Sequence, residues 1–332
     1  MTAFCHIGIV LQCICMNADT WVAKVRNGRL QLDVATDLPE GEEVPLVWSL
    51  PVSVEEARCD ILLFVTTETE REAMREYTTG RPTRNISGRY SDYVDLGWIH
   101  PLYRVFVVET EMGALQAGGS ATKALLCTVE TGARFIISVG TAFGIDRDRQ
   151  EFGDVIVATH VLPYDSVIVD TDRDGRLPRI RYDRARPTPT NSALVSLLRR
   201  HVAGQPPSFE VHFGAILSGN AQIRCAAYRD HLVAKFDKKL TDLDQQHRSK
   251  GRSLVERVVG GEMEGIGLIT MPPANDETRW LVVKGISDFA DEEHGNENRS
   301  NRRLACEHAI ELVLGALASA PLPAVRAQAG ES

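Results

Sequence analysis

The chain has 332 residues, 43% hydrophobic and 25% charged, enough for one large α/β domain with an appendage. Lys and Arg number 37 against 45 Asp and Glu, a formal net charge of −8, so the overall field repels phosphate backbones and anionic bilayers. That excludes a nucleic-acid coat protein and a polybasic membrane binder; no nucleic-acid or membrane partner is expected.

Phe4–Met16 is apolar but has no preceding Lys or Arg, no small-residue cleavage site and too little length to span a bilayer. It reads as a strand or an unstructured start. Seven cysteines, an odd number with no paired C-x-x-C, form neither a disulfide framework nor a zinc site, and a reducing cytoplasmic location is expected. Trp21–Val25 and Leu30–Val34 alternate in polarity around Asn27-Gly28, the dipeptide of a type I′ turn, which predicts a hairpin. Leu38-Pro39-Glu40-Gly41 makes a turn before Val44–Trp48. Residues 1–57 are thus expected to be an N-terminal extension with a small β unit. Its turn motifs resemble those opening small bacterial antitoxin-like proteins, and an accessory unit without chemistry is the preferred reading.

From Cys59 the pattern becomes strands alternating with helices. Asp60–Val65, Tyr103–Val108, Arg134–Val139, Asp154–Ala158, Val211–Leu217 and Trp280–Val283 are apolar runs of strand length. Glu68–Tyr77 and Gln116–Glu130 have helical composition. Leu194, Leu197, Leu198 and Val202 mark one helix face, and Leu304, Ala305, His308, Leu312 and Val313 mark another. Lys235–Arg252 carries both signs of charge and predicts a solvated helix or loop on which Phe236, Leu240 and Leu243 can dock. Residues 320–332 read as a disordered tail. Continuous apolar strands between helices imply a largely parallel sheet covered on both faces.

Four segments combine glycine, small hydroxyls and acids: Gly140-Thr141-Ala142-Phe143-Gly144, Leu217-Ser218-Gly219-Asn220-Ala221, Gly260–Gly267 with Glu262, Met263 and Glu264, and Lys284-Gly285-Ile286-Ser287-Asp288. The last puts a carboxyl at the carboxyl end of a strand, where open α/β sheets bind ligands. Singly, each has a plainer explanation as a turn, a helix start or an N-cap. Asp291-Glu292-Glu293-His294 has no metal-ligand spacing, and neither a metal nor a cofactor is expected.

In this order and spacing, VGTAFG, FGDVIV, LSGNA, GEMEG and ISDFAD resemble the purine nucleoside phosphorylase / methylthioadenosine–adenosylhomocysteine nucleosidase superfamily, over about residues 58–318. Within it the motifs look most like bacterial nucleoside-phosphorylase-like effector domains. The resemblance implies a three-layer α/β/α fold with a mostly parallel mixed central sheet over residues 58–319, and a homo-oligomer. It also implies that Asp288 is the general acid protonating the leaving purine, a task calling for a pKa raised by burial. Ser287 then orients Asp288, Glu264 holds the ribose hydroxyls, Met263 packs on the sugar, and Glu70 aligns best with the carboxylate that activates water, with Glu68 and Glu72 as the nearby alternatives. The further expected substrate-binding residues are Glu262, Gly140, Thr141, Ala142, Ser218, Asn220, Gln222 and Lys284.

The acidic loop Thr67-Glu68-Thr69-Glu70 disfavours phosphate and favours water as nucleophile. The function so implied is hydrolysis of the N-glycosidic bond of a purine nucleoside or nucleotide, of adenosine type and extending to AMP or ATP. A phosphate-dependent phosphorylase and a non-catalytic purine nucleotide sensor are the alternatives. Arg71, Arg75, Arg81, Arg84, Arg89 and Arg104, with Arg224, offer either a 5′-phosphate site or, more simply, a solvated surface.

Overall fold

The computed structural model describes residues 9–11, 21–26, 29–32, 58–171, 174–175, 178–248, 257–274, 277–293 and 299–321, and the backbone divides into two units, 1–56 and 57–332. In the first unit, β1 (Ile9–Leu11), β2 (Trp21–Arg26) and β3 (Arg29–Leu32) form an antiparallel sheet in chain order. Arg26 pairs with Arg29, so β2 and β3 form the expected antiparallel pair, while Asn27 and Gly28 lie outside the described residues. Val44–Trp48 and residues 322–332 lie outside the described residues.

The second unit runs β4 (Ile61–Val65), α1 (Glu68–Tyr77), β5 (Arg84–Ser87), β6 (Asp92–His100), β7 (Tyr103–Glu109), α2 (Ser120–Thr131), β8 (Phe135–Phe143), β9 (Val155–Pro163), β10 (Ile168–Thr171), β11 (Pro178–Arg181) and β12 (Thr188–Pro189). It continues with α3 (Ser192–Gly204), β13 (Val211–Ser218), α4 (Ala226–Arg248), β14 (Val258–Glu262), α5 (Gly265–Leu268), β15 (Trp280–Asp288) and α6 (Arg299–Ser319). One 10-stranded mixed sheet has the order β12-β9-β13-β14-β8-β4-β7-β6-β5, with β15 joining β8 to β9. The pairings β4·β7, β4·β8, β8·β15, β9·β13 and β13·β14 are parallel, while β5·β6, β6·β7 and β9·β12 at the margins are antiparallel. Because β15 also pairs with β9, strands β8, β15, β9, β13 and β14 close into a ring.

Ile61, Leu63, Val105, Val107, Ile137, Val139, Leu281 and Val283 face a core shared with α1, α3 and α6. Their alternates, including Leu62, Phe64, Phe106, Ile136 and Val282, are equally buried on the opposite side. Burial on both faces is why these strands read as unbroken apolar runs. Phe236 and Leu240 dock α4 against Leu162, Leu217 and Val258 as expected, and Leu243 is half-buried.

Two expectations change. The helix predicted from Gln116 begins at Ser120, because Gly119 takes an extended N-cap conformation and its N–H donates to Gln116 in a preceding turn. Leu304 lies at the exposed rim of α6 rather than on its core face. The arginine-rich stretch contains β5 and β6, whose side chains are largely solvated on one side. There Arg104 and Arg84 pair with Asp95 at 2.7 and 3.7 Å, while Arg71 and Arg75 face Glu109 at 3.5 and 4.0 Å. Arg81 lies over Tyr77 and Arg89 over Tyr90.

Candidate active site

A cavity of about 150 Å³ opens where the carboxyl ends of β8, β13 and β15 meet the start of α1 and the turn after β14. Glu70, Thr141, Ala142, Gln222, Glu262, Met263, Glu264, Ser287 and Asp288 line it, so nine of the expected residues converge from segments far apart in sequence. Thr67, Thr69, Met112, Phe143, Ala221, Ile223, Gly261 and Arg302 complete the lining.

Glu70 is the third residue of α1 and closes a capping box with Thr67. Its Oε2 accepts from the N–H groups of Thr66 and Thr67 at 2.6 and 3.1 Å, and its Oε1 accepts from Thr141 N–H at 3.1 Å. Helix start and strand end are thereby fastened to one carboxyl. A Cβ on Gly140 would stand 2.2 Å from Glu70 Oε1, so glycine is required there to admit the side chain. Gly140 therefore seats Glu70 from beneath and is not a wall of the cavity. Burial raises the Glu70 pKa; Lys284 opposes this and Glu264 reinforces it.

Glu262 accepts from the N–H groups of Glu264 and Gly265 and so shapes the turn into α5. Its pKa is raised by burial and by Glu264, against Lys284. Glu264 Oε2 accepts from Lys284 Nζ at 3.1 Å, and its Oε1 accepts from Gly113 N–H at 3.4 Å. Lys284 is 0% exposed and does not reach the cavity surface. Burial alone would lower its pKa, but Glu264, Glu70 and Glu262 carry it above the ordinary lysine value. Burial first, and the like charge of Glu264 second, make Glu70 and Glu262 hold protons more strongly than usual, and the single Lys284 ammonium only partly offsets this.

Asp288 ends β15 half-buried, where deeper burial was expected. Its Oδ2 accepts from Ser287 Oγ at 3.0 Å and its Oδ1 from Ala290 N–H at 2.9 Å, so its orientation is fixed. Ala290 has φ +50°, a left-handed conformation uncommon outside glycine, and it turns the chain back onto Asp288. Phe143 lies across Gly261, where an added Cβ would meet its ring, and so covers part of the cavity wall.

Two further expected residues support the site from behind. Ser218 Oγ accepts from Ile266 N–H at 2.7 Å and is fully buried. Asn220 accepts from Ala114 N–H at 3.3 Å and donates to Asp165, tying two loops together. Gln222 reaches the cavity with its Oε1 accepting from Arg224 at 2.7 Å. None of Arg71, Arg75, Arg81, Arg84, Arg89 or Arg104 lines it. Arg302 does, and sequence alone gave no sign of it: only the packing of α6 on α1 brings it there. Among the described residues no group of three or more His, Cys, Asp or Glu is placed to hold a metal, and no helix is long and apolar enough to cross a membrane.

The family model of the phosphorylase superfamily matches residues 61–318. No curated protein matches the sequence. Among solved structures, the 5′-methylthioadenosine/S-adenosylhomocysteine nucleosidase of Neisseria meningitidis, in complex with methylthio-immucillin-A, superposes with a TM-score of 0.56 at 18% identity, covering 79% of this chain and 100% of that one. The S-adenosylhomocysteine nucleosidase of Streptococcus pyogenes gives 0.58 at 16% identity, over 80% and 98%. The futalosine hydrolase of Helicobacter pylori gives 0.56 at 16%, over 79% and 98%. At such identities the likeness is one of fold, and the fold is the three-layer nucleoside phosphorylase-like one.

Proposed function

Since the chain belongs to the phosphorylase superfamily, we propose that it hydrolyses the N-glycosidic bond of a purine nucleoside or nucleotide of adenosine type. The observation that carries this is one cavity holding an oriented, half-buried carboxyl, Asp288, together with the buried Glu70 and Glu264. Asp288 donates a proton to N7 of the leaving purine as the C1′–N9 bond breaks and its electron pair passes to the base. The ribosyl cation that develops is stabilised by the carboxylates beneath it, with Glu264 on the ribose hydroxyls and Met263 against the sugar. Glu70 takes the proton of the attacking water. Its pKa, raised by burial, moves in the direction a general base needs.

Water is favoured over phosphate by the inner wall. A phosphate placed beside the anomeric carbon would face Glu70, Glu262 and Glu264, with Lys284 already held against Glu264. Release of purine base is followed chromatographically with adenosine, methylthioadenosine, inosine and AMP, each with and without phosphate. Base appears without phosphate, and Asp288→Asn reduces its release by about a thousandfold while the melting temperature stays unchanged. Release that requires phosphate, or full turnover in folded Asp288→Asn, overturns the proposal.

A further inference from the structure

We propose that the rim of the cavity holds a phosphoryl group carried on the substrate, with Arg302 as its cation and Thr69 as a hydroxyl donor. This rests on the cavity being a purine-ribosyl site, and it narrows the substrate to a nucleotide over a nucleoside. The first turns of α6 present Arg299, Arg302 and Arg303 beside α1. Arg299 pairs with Glu72 at 3.0 Å, and Arg303 pairs with Glu76. These two pairs run in step along the exposed seam between the helices, whose packing comes from the buried core they share. Arg302, between them, has no acidic partner among the described residues and instead lines the cavity with Thr67 and Thr69. The Thr67 hydroxyl accepts from Glu70 N–H at 3.3 Å as the helix cap, whereas no described residue bonds the Thr69 hydroxyl.

A guanidinium flanked by two paired arginines, with no acidic partner of its own among the described residues, on a cavity wall, fits an anion entering from solvent. Its place at the exposed rim decides which anion. The attacking group must stand at the inner end, beside Glu70, which is 2% exposed. Arg302 is exposed, so the anion it binds projects outward from the sugar and is not the nucleophile. A phosphoryl group esterified to the ribose meets that requirement, and free phosphate acting as co-substrate does not.

The test compares AMP with adenosine for wild type and Arg302→Gln, with and without added phosphate. Wild type prefers AMP, and Arg302→Gln lowers kcat/KM for AMP by about tenfold to a hundredfold while leaving adenosine within about twofold. The AMP preference weakens as ionic strength rises, because the charge is exposed. Equal losses on both substrates, no loss on AMP, or a loss seen only with added phosphate overturns the proposal. If neither substrate releases base, calorimetric titration with AMP and adenosine still decides. Selective loss of AMP binding in Arg302→Gln upholds the anion site while the hydrolytic function fails, and unchanged AMP binding overturns it.

Discussion

Lys284→Met removes the ammonium around which Glu70, Glu262 and Glu264 are arranged while keeping most of the aliphatic stem, so the change is one of charge more than of packing. The Nζ lies 3.1 Å from Glu264 Oε2, a separation worth about 5 kcal/mol at an effective dielectric constant of about 20. Breaking a buried pair from one side costs about 3–5 kcal/mol in practice. For a unit of this size that lowers the melting temperature by about 10 °C. Thermal unfolding followed by circular dichroism on wild type, Lys284→Met, Glu264→Gln and the double variant measures it. The double variant regains about half of the loss, since the stranded carboxylate is then gone. The deficit also shrinks from about pH 8 to about pH 5, because the unpaired carboxyls take up protons as pH falls. A melting temperature within about 2 °C of wild type at about pH 8, or single losses that simply add in the double variant, refutes the reasoning.

Gly140→Ala forces Glu70 away from Thr141 N–H, since the new Cβ has only 2.2 Å to the carboxyl oxygen; kcat falls by about a hundredfold with less change in KM, and an unchanged kcat would place Glu70 outside the reaction. In the wild type, Glu262 has a folded-state pKa above its ordinary 4.5, so its contribution to stability is fully present below about pH 4.5 and is lost as pH rises through the folded value. Glu262→Gln abolishes that titration, and the wild type therefore loses stability relative to the variant as pH increases; parallel melting-temperature profiles contradict this.

The strands that sequence reveals are those buried on both faces. Ile61–Val65 and Phe135–Val139 need no alternation because both sides meet helices, whereas β5 and β6 turn polar side chains to solvent and carry too little apolar signal to stand out. The helix expected from Gln116 failed at its boundary because Gln and Ala suit a helix while Gly118-Gly119 stops one, and local composition does not rank the two. At the site, residues in compact motifs such as Glu262–Glu264 and Ser287-Asp288 were legible together. The depth of each was not. Lys284 sits one strand repeat from the cavity in sequence yet wholly behind it, and Gly140 acts through the volume it leaves for Glu70. Arg302 belongs to no motif; its position follows from the packing of α6 on α1, which exists only after the chain has folded.

The closed ring of β8, β15, β9, β13 and β14 divides the cavity's inheritance into two parts. Thr141, Ala142, Glu262, Ser287 and Asp288 hang from strands whose neighbours hold them on both sides, so a change of backbone there would propagate around the whole circuit. Met112, Gln222, Ile223 and Arg302 come from loops and a helix outside it. A lineage can therefore retune what it admits by exchanging outer residues while the strand-borne acid Asp288 stays as it was, and divergence in diet need leave no mark on that part of the bite.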